Sequence, residues 1–257
     1  MNKDFEENGY TILQDIYSKA ELDKLEIIVN TVFEKWLDAN RPKLKSDDLI
    51  NIHSLTGPAY FCENPQDRID LFNLISQPAL TDCVSQILDD SVYFHGTQLF
   101  FNPINKDKLP YWHRDFQYSG NDDNSLKKEL GKLKALHLRI ALIPETGLEL
   151  IPGSHKRWDT KLESDIRFER NGHKNSEPLP FSQLITLERG DVLIFDAQML
   201  HRGCYSTNPQ RKAFDICVGT PHPMALKGLS KTPLPNQKDI SLLTNPCWFS
   251  NALSLQK

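Results

Sequence analysis

Tyr111–Phe116 reads Tyr-Trp-His-Arg-Asp-Phe and carries the first two candidate metal ligands of the chain. His113 and Asp115 stand two residues apart in this aromatic run. If the run is an extended strand, alternate side chains point to one face, so the imidazole and the carboxylate face the same way. One nitrogen and one oxygen ligand are two thirds of a facial 2-His-1-carboxylate iron site. The stretch therefore predicts a metal site if a second histidine joins it.

Apolar residues recur with a period of two from Val92 onward, which is the pattern of half-buried strands. Turn residues such as Asn102-Pro103 and Gly190-Asp191 separate the runs, and Glu145-Thr146-Gly147 is predicted to be another turn. The predicted strands are Val92–His95, Thr97–Phe101, Tyr111–Phe116, Lys134–Ile143, Leu148–Ile151, Gln183–Leu187, Val192–Phe195 and Lys212–Gly219.

The first ninety residues carry helical signals instead. Ser18 and Glu21 form a capping box, in which each side chain can satisfy a backbone donor at a helix start. Apolar residues then recur at helical spacing, which predicts a helix from about residue 19 to 38 that ends at Arg41-Pro42. The remaining predictions are a short strand with its approach at Phe5–Ile16, irregular chain at 43–66 and two helices at Asp67–Ile75 and Pro78–Leu88.

Helices followed by about eight short strands predict a mainly β fold, with a β-sandwich or jelly roll as its core and N-terminal helices packed outside. A chain of 257 residues is long enough for one such domain. The predicted organisation is a single domain at 1–257, with mainly helical support at 1–90, the jelly-roll core at 91–220 and a tail packed on the core at 221–257. Two polar insertions, 118–132 and 156–180, are either walls of a binding site or solvated loops.

The composition is that of a soluble globular chain, with 39% hydrophobic and 25% charged residues. A net charge of −4 and the lack of a Lys/Arg cluster argue against a nucleic-acid or anionic-membrane partner. No apolar stretch approaches a membrane span, and the N-terminus lacks the pattern of a signal peptide. Five scattered cysteines without a Cys-x-x-Cys spacing predict neither a disulfide framework nor a zinc site, so a cytoplasmic location is expected. Nothing in the sequence indicates an oligomeric state.

A second histidine and an arginine follow further along the chain. His201 comes after an apolar strand, and Arg211 begins the next strand, so the two can converge on one pocket if those strands are antiparallel neighbours. With His113 and Asp115, His201 would leave three adjacent positions on iron, of which two suit a bidentate 2-oxo acid and one suits dioxygen. The guanidinium of Arg211 can hold the far carboxylate of such an acid through two parallel hydrogen bonds.

The order of these motifs resembles the phytanoyl-CoA dioxygenase family of Fe(II)- and 2-oxoglutarate-dependent oxygenases. The wording Trp-His-x-Asp-Phe is especially similar to the ectoine hydroxylase branch of that family. The resemblance covers most of the chain. Each motif alone is weak evidence for the family, but their occurrence in this order is strong evidence. The matching pieces are Asn8–Tyr10, Trp112–Phe116, Glu145–Leu148, Ile151–Lys156, Gly190–Val192, His201–Gly203 and Arg211–Ala213.

The resemblance implies a double-stranded β-helix, the cupin-like form of the jelly roll. It implies that His113, Asp115 and His201 bind Fe(II) and are catalytic, that Arg211 binds 2-oxoglutarate, and that dioxygen is consumed with release of succinate and CO₂. Family members often carry Ser or Thr two residues past the distal histidine, where this chain has Gly203. The candidates to replace that contact to the cosubstrate carboxylate are Ser206, Thr97 and Gln98.

The presence of Asp115 narrows the expected chemistry, because related halogenases carry Gly or Ala at this position. It favours hydroxylation of an unactivated C–H bond over halogenation. The same iron site can also desaturate, epoxidise or cyclise a substrate. A 2-oxoglutarate-independent cupin-like metal enzyme and a small-molecule binding module remain alternatives.

Arg139 is predicted to face either solvent or the interior of the barrel, and the resemblance favours the interior, because members of that family often carry a pocket-lining aromatic residue at this position. Over Ala135–Leu142 the leucines share one face, while His137 and Arg139 share the other. A buried arginine needs an anionic partner, which is 2-oxoglutarate, a substrate carboxylate or a structural acid. Phe116 and Trp158 are candidate walls of the substrate pocket. The expected partner is a small polar or anionic metabolite.

Overall fold

The protein is described here from a computed structural model that covers residues 2–46, 49–205, 207 and 210–256. The strands in this part of the chain are β1 Tyr10–Leu13, β2 Asn51–His53, β3 Tyr93–Phe100, β4 Ala135–Ala141, β5 Glu145–Leu150, β6 Gln183–Leu187, β7 Val192–Asp196, β8 His201–Gly203 and β9 Ala213–Gly219. The α-helices are α1 Asn2–Asn8, α2 Lys19–Ser46, α3 Pro65–Ile75, α4 Pro78–Ile87, α5 Asp123–Glu129, α6 Lys161–Arg167, α7 Pro223–Leu226, α8 Gln237–Ile240 and α9 Cys247–Ser254.

The strands form two antiparallel sheets. The larger sheet has the order β1-β7-β4-β9-β3-β2, and the smaller has the order β6-β5-β8. From β4 to β9, most strands that follow each other in the chain change sheet, which is how a jelly roll is built. The predicted mainly β core with flanking helices is therefore confirmed. None of the helices in the described chain is both long and apolar enough to cross a membrane.

The larger sheet has one apolar face and one polar face. Leu136, Leu138 and Ile140 of β4 join the main hydrophobic core, which also contains buried residues of α2, α3, α4 and α9. The alternate residues His137 and Arg139 face the space between the two sheets. The side-chain alternation predicted for this strand is confirmed, because a period of two sends neighbouring residues to opposite faces.

Tyr111–Phe116 is not a strand, and that prediction is wrong. His113 forms an isolated bridge with His201, and Asp115–Tyr118 turns into a 3₁₀ helix. The segment is extended enough for His113 and Asp115 to reach one site, but the turn after Arg114 ends any further pairing with a sheet.

The N-terminal half also differs from the predictions. Helix α1 occupies part of the predicted strand at Phe5–Ile16, and α2 runs through Pro42 instead of ending there. Pro42 removes one helical hydrogen bond to Asp38, but both residues are exposed and water can satisfy the freed carbonyl.

Several short elements form where irregular chain or turns were predicted. Glu145–Gly147 is the start of β5, with a shift of register before Leu148, and is not a turn. The other short elements are β2 in the stretch 43–66, α5 in the first polar insertion and α6 in the second.

Helix α9 closes the hydrophobic core at the end of the chain. Phe249 is fully buried and lies edge-on to Phe72 of α3 at 4.9 Å and to Phe94 of β3 at 5.1 Å between ring centroids. This helix therefore belongs to the same core as the larger sheet.

Replacing Phe249 by Ala is expected to lower the free energy of unfolding by about 3–5 kcal/mol, because a buried aromatic side chain leaves a cavity. Phe181→Ala is the matched control, since Phe181 is 91% exposed, and a change within about 0.5 kcal/mol is expected there. Urea denaturation of both variants measures the difference. Equal destabilisation in the two variants would contradict the burial of α9.

Candidate active site

Three side chains that can bind a metal meet between the two sheets. His113, Asp115 and His201 each offer one ligand atom, and these atoms lie within 4.8 Å of one another. The Nε2 atoms of His113 and His201 are 3.5 Å and 3.6 Å from Oδ1 of Asp115. No other group of three such residues comes together in the described chain.

Backbone hydrogen bonds bring the three residues together. The N–H of His113 donates to the carbonyl of His201 at 2.9 Å, and the N–H of His201 donates to the carbonyl of His113 at 3.0 Å. The N–H of Asp115 donates to the carbonyl of Ala197 at 3.1 Å. The main chain therefore sets the spacing of the candidate ligands before any metal is bound.

Both imidazole rings are oriented by carbonyl oxygens. Nδ1 of His113 lies 3.1 Å from the carbonyl of Tyr111, and Nδ1 of His201 lies 3.0 Å from the carbonyl of Met199. A carbonyl only accepts hydrogen bonds, so each Nδ1 carries the hydrogen and each Nε2 presents its lone pair to the site. This is the tautomer that a metal ligand needs.

The electrostatics of the site fit a divalent cation. Burial, helped by the nearby His113, lowers the pKa of His201 to about 3, so this imidazole is neutral at physiological pH. Burial works against ionisation of Asp115, but His201 and His137 outweigh it and hold its pKa well below the usual range. Two nitrogen donors and one carboxylate oxygen on one side of a cavity match the donor set of a non-haem iron site.

Arg114, between the two ligands of the first motif, points away from the site and fastens the segment to its surroundings. Its buried guanidinium donates to the carboxylate of Asp159 at 2.9 Å, to the carbonyl of Ser154 at 2.9 Å and to the carbonyl of Gln198. The Ser154 hydroxyl in turn accepts the N–H of Leu200 at 2.9 Å. The Pro-Gly-Ser-His turn is thus a structural link between the two histidine segments.

The candidate ligands open into a cavity of about 700 Å³ that is lined by both sheets. Arg211 is buried in its wall and donates two long hydrogen bonds, 3.5 Å to Glu145 and 3.4 Å to the carbonyl of Gly147. These weak contacts leave the guanidinium able to bind an anion that enters the cavity. The site therefore fits the carboxylate of 2-oxoglutarate.

Gly203 is the close neighbour of Arg211 on the smaller sheet. A Cβ at Gly203 would lie 3.1 Å from both terminal nitrogens of the guanidinium. A side chain at this position would require the guanidinium of Arg211 to move by a few tenths of an ångström, so glycine lets Arg211 lie directly against β8.

Arg139 lies in the cavity wall, as predicted, and its partner is a protein carboxylate. Its Nε and Nη2 donate to the two oxygens of Asp215 at 2.7 Å and 2.9 Å, and its Nη1 lies 3.6 Å from Glu145. Although burial opposes ionisation of Asp215, Arg139 and His137 hold its pKa at about 2. The pair is therefore ionic.

The remaining predicted site residues fall into different places. Gln98 and Phe116 line the cavity, and the amide of Gln98 accepts from Asn51 at 3.1 Å. Thr97 is not among the residues that line the cavity, because its hydroxyl accepts the N–H of Leu55 at 3.0 Å on the other side of β3. Ser206 lies outside the described residues.

Trp158 also lies outside the cavity lining. The guanidinium groups of Arg114 and Arg167 lie over its ring, at 5.1 Å and 5.4 Å from the centroid, and its Nε1 donates to Asp123 at 3.2 Å. The tryptophan thus joins the two polar insertions, since Asp123 begins α5 and Arg167 ends α6.

His137 is a cavity residue to which the sequence assigned no role. Its Nε2 lies 2.9 Å from Oδ2 of Asp115, and its Nδ1 lies 3.2 Å from Oδ2 of Asp215. Burial opposes its charged form, but Cys217, Asp115 and Asp215 outweigh that effect and raise the pKa of His137 well above its usual value. Its position two residues before Arg139 on the interior face was the available signal. His53 and His95 line the cavity as well.

The sequence profile of the phytanoyl-CoA dioxygenase (PhyH) family matches residues 5–213, which is most of the chain. The chain belongs to the phytanoyl-CoA dioxygenase family. It is an Fe(II)- and 2-oxoglutarate-dependent dioxygenase. The predicted family, activity class, iron, 2-oxoglutarate and dioxygen dependence are confirmed.

Relatives of this phytanoyl-CoA dioxygenase family member include the ectoine dioxygenase of Sphingopyxis alaskensis. The two are 25% identical over 232 residues, which covers 82% of this chain and 72% of the relative. EctD of S. alaskensis, in a crystal structure with 2-oxoglutarate and 5-hydroxyectoine, shares the fold with a TM-score of 0.57 at 21% identity, over 85% of this chain and 74% of EctD. AviO1 of Streptomyces viridochromogenes shares it with a TM-score of 0.59 at 18% identity, over 85% and 93% of the two chains.

Asp196, at the end of β7, is a buried carboxyl group beside the site that makes no ion pair among the described residues. Burial raises its pKa to about 6, although the N–H of Gln198 donates to it at 2.7 Å. The folded state therefore binds this proton more tightly than the unfolded state does. The resulting stabilisation is complete below the ordinary pKa of an aspartate and is lost as the pH rises through about 6.

Asp196→Asn is expected to raise the free energy of unfolding more at pH 8 than at pH 5, with a difference on the order of 1 kcal/mol. The amide cannot ionise, so the variant avoids the cost of a buried charge at high pH. Urea denaturation of both proteins at the two pH values measures the effect. The same gain or loss at both values would show that Asp196 does not titrate in this way.

Proposed function

We propose that this enzyme hydroxylates an unactivated C–H bond of a small polar metabolite and releases succinate and CO₂. The observation that carries the proposal is the convergence of His113, Asp115 and His201 on the cavity that also contains Arg211. In this proposal the first three hold Fe(II). Arg211 holds the far carboxylate of 2-oxoglutarate through its guanidinium fork.

Bound iron, with 2-oxoglutarate and dioxygen, supplies the oxidant for C–H hydroxylation, and the protein supplies binding and orientation. Asp115 provides an anionic ligand in the position that halogenases leave open, which supports oxygen transfer. His113 and His201 direct their Nε2 atoms into the site from two segments that backbone hydrogen bonds join. The buried guanidinium of Arg211 lies beside Phe100 and Tyr205, at 5.3 Å and 5.9 Å from their ring centroids.

The lining of the cavity supports a polar substrate that is neutral or anionic. Asp115 and Asp215 are the acidic residues among its described lining, and both are already engaged by other side chains. Burial lowers the pKa of His53 and of His95, so both imidazoles are neutral and can donate and accept hydrogen bonds. A cationic substrate would therefore find no unpaired carboxylate in this lining, whereas hydroxyl, amide or carboxylate groups would find partners.

Anaerobic addition of Fe(II) and 2-oxoglutarate is expected to produce a visible metal-to-ligand charge-transfer band. His113→Ala should abolish the band because one of the three ligands is lost. The matched control is His173→Ala, which removes a half-buried histidine paired with Glu177 away from the cavity and should leave the band intact. A folded wild-type protein without the band, or a band that persists in His113→Ala, would overturn the proposed metal site.

Arg211→Ala separates the cosubstrate role from the metal role in the same assay. The variant should still bind metal, since Arg211 contacts none of the three candidate ligands in the described interactions. Its affinity for 2-oxoglutarate should fall. Unchanged cosubstrate affinity would remove Arg211 from the proposal and leave the iron ligands in place.

Substrate-stimulated succinate release is expected with small polar compounds that carry hydroxyl, amide or carboxylate groups. Ectoine is the first compound to test, because the relative from S. alaskensis is an ectoine dioxygenase. Cationic compounds of similar size without a carboxylate are the control and should not stimulate release. Preferential stimulation by those cations would contradict the proposal that the cavity takes a neutral or anionic substrate. The mass of the product would identify hydroxylation, which adds one oxygen atom to the substrate.

A further inference from the structure

His137 lines the cavity next to Asp115, one of the three candidate metal ligands. It lies on β4, which pairs with β7 on one side and with β9 on the other, so its backbone is held from both sides. Its ring stacks on Phe195 with 5.1 Å between centroids and 20° between planes. The ring is buried and has little freedom to turn.

The two oxygens of Asp115 face different groups. Oδ1 is the atom that lies 3.5 Å and 3.6 Å from the Nε2 atoms of His113 and His201. Oδ2 lies 2.9 Å from Nε2 of His137. One oxygen is therefore directed to the candidate metal position, and the other is directed to a histidine that is not a ligand.

We propose that His137 is a positioning residue that holds Oδ2 of Asp115 and thereby presents Oδ1 alone to the metal. The inference rests on the proposed function of His113, Asp115 and His201 as iron ligands. A carboxylate held by one oxygen in this way occupies one coordination position and leaves the neighbouring positions for cosubstrate and dioxygen. A carboxylate free to turn could bind through both oxygens and close one of those positions.

The other nitrogen of His137 contacts a second carboxylate. Nδ1 lies 3.2 Å from Oδ2 of Asp215, and Asp215 is fully buried and held by two hydrogen bonds from Arg139 at 2.7 Å and 2.9 Å. The imidazole therefore bridges two carboxylates, one belonging to the candidate metal site and one belonging to the sheet. Partners of this kind, beyond the direct ligands, orient a metal site and contribute to its affinity.

The same chain of contacts continues towards the proposed cosubstrate anchor. Nη1 of Arg139 lies 3.6 Å from Oε1 of Glu145, and the same oxygen lies 3.5 Å from Nε of Arg211. These contacts are longer than those around His137. The contacts beside the candidate metal site are thus shorter than those beside Arg211. Loss of His137 should therefore affect metal binding more than 2-oxoglutarate binding.

Replacing His137 tests the proposal by metal affinity, measured by titration with Co(II) in the absence of 2-oxoglutarate and substrate. His137→Phe keeps a ring to stack on Phe195 but cannot donate, and it should weaken metal binding by about 10–100-fold. His173→Phe removes an imidazole that lies away from the cavity, paired with Glu177, and should leave the affinity unchanged.

Two amide variants separate positioning from loss of folding. The amide nitrogen of His137→Gln can reach the place of Nε2 and contact Asp115, so this variant should recover most of the affinity. The amide of His137→Asn reaches only the place of Nδ1 and Asp215, so it should bind metal as weakly as His137→Phe. Crystals of Co(II)-loaded His137→Asn should show Asp115 bound through both oxygens.

Each outcome points to one conclusion. Wild-type affinity in folded His137→Phe, or equal affinities in the Gln and Asn variants, would overturn the positioning role. Wild-type affinity in His113→Ala would instead overturn the proposed iron site, so the two failures are distinguishable.

Discussion

Two backbone hydrogen bonds between His113 and His201 are the interaction on which the site depends. They join a segment that is otherwise outside both sheets to β8, the edge strand of the smaller sheet. The two imidazoles then face each other across a distance that the main chain sets, and Asp115 follows within one turn. Because backbone bonds leave little freedom, the candidate ligands are placed before a metal arrives.

Compensation of buried charge is the second constraint. The inner face of the larger sheet carries charged side chains, and a buried charge is tolerated only when it is paired and hydrogen-bonded. Arg139 and Asp215 are direct cross-strand neighbours on β4 and β9, so the register of the sheet itself makes the pair. His137 then connects Asp215 to Asp115. The cavity can therefore keep a polar lining inside a fold whose opposite sheet face is apolar.

Much of the fold could be predicted because strand and helix periods are local properties. Gln183–Leu187 forms the predicted strand, and the alternation in β4 correctly placed its leucines in the core and Arg139 on the opposite face of the sheet. The strand predicted at Tyr111–Phe116 is wrong because local sequence indicates an extended conformation but not the presence of a partner strand. Trp158 shows the same limit, since its contact with Arg114 joins segments that are far apart in the sequence.

The sequence by itself determined which ligand types the chain offers, in which order, and which neighbouring residues share a face. Side-chain chemistry and the period of a strand are both set within a few residues, so no tertiary information is needed. Only the tertiary structure decided that Arg139 pairs with Asp215, that Gly203 lies against Arg211 and that His137 reaches Asp115. Those partners come from different strands and segments, and their distances depend on sheet order and register, which a local pattern does not specify.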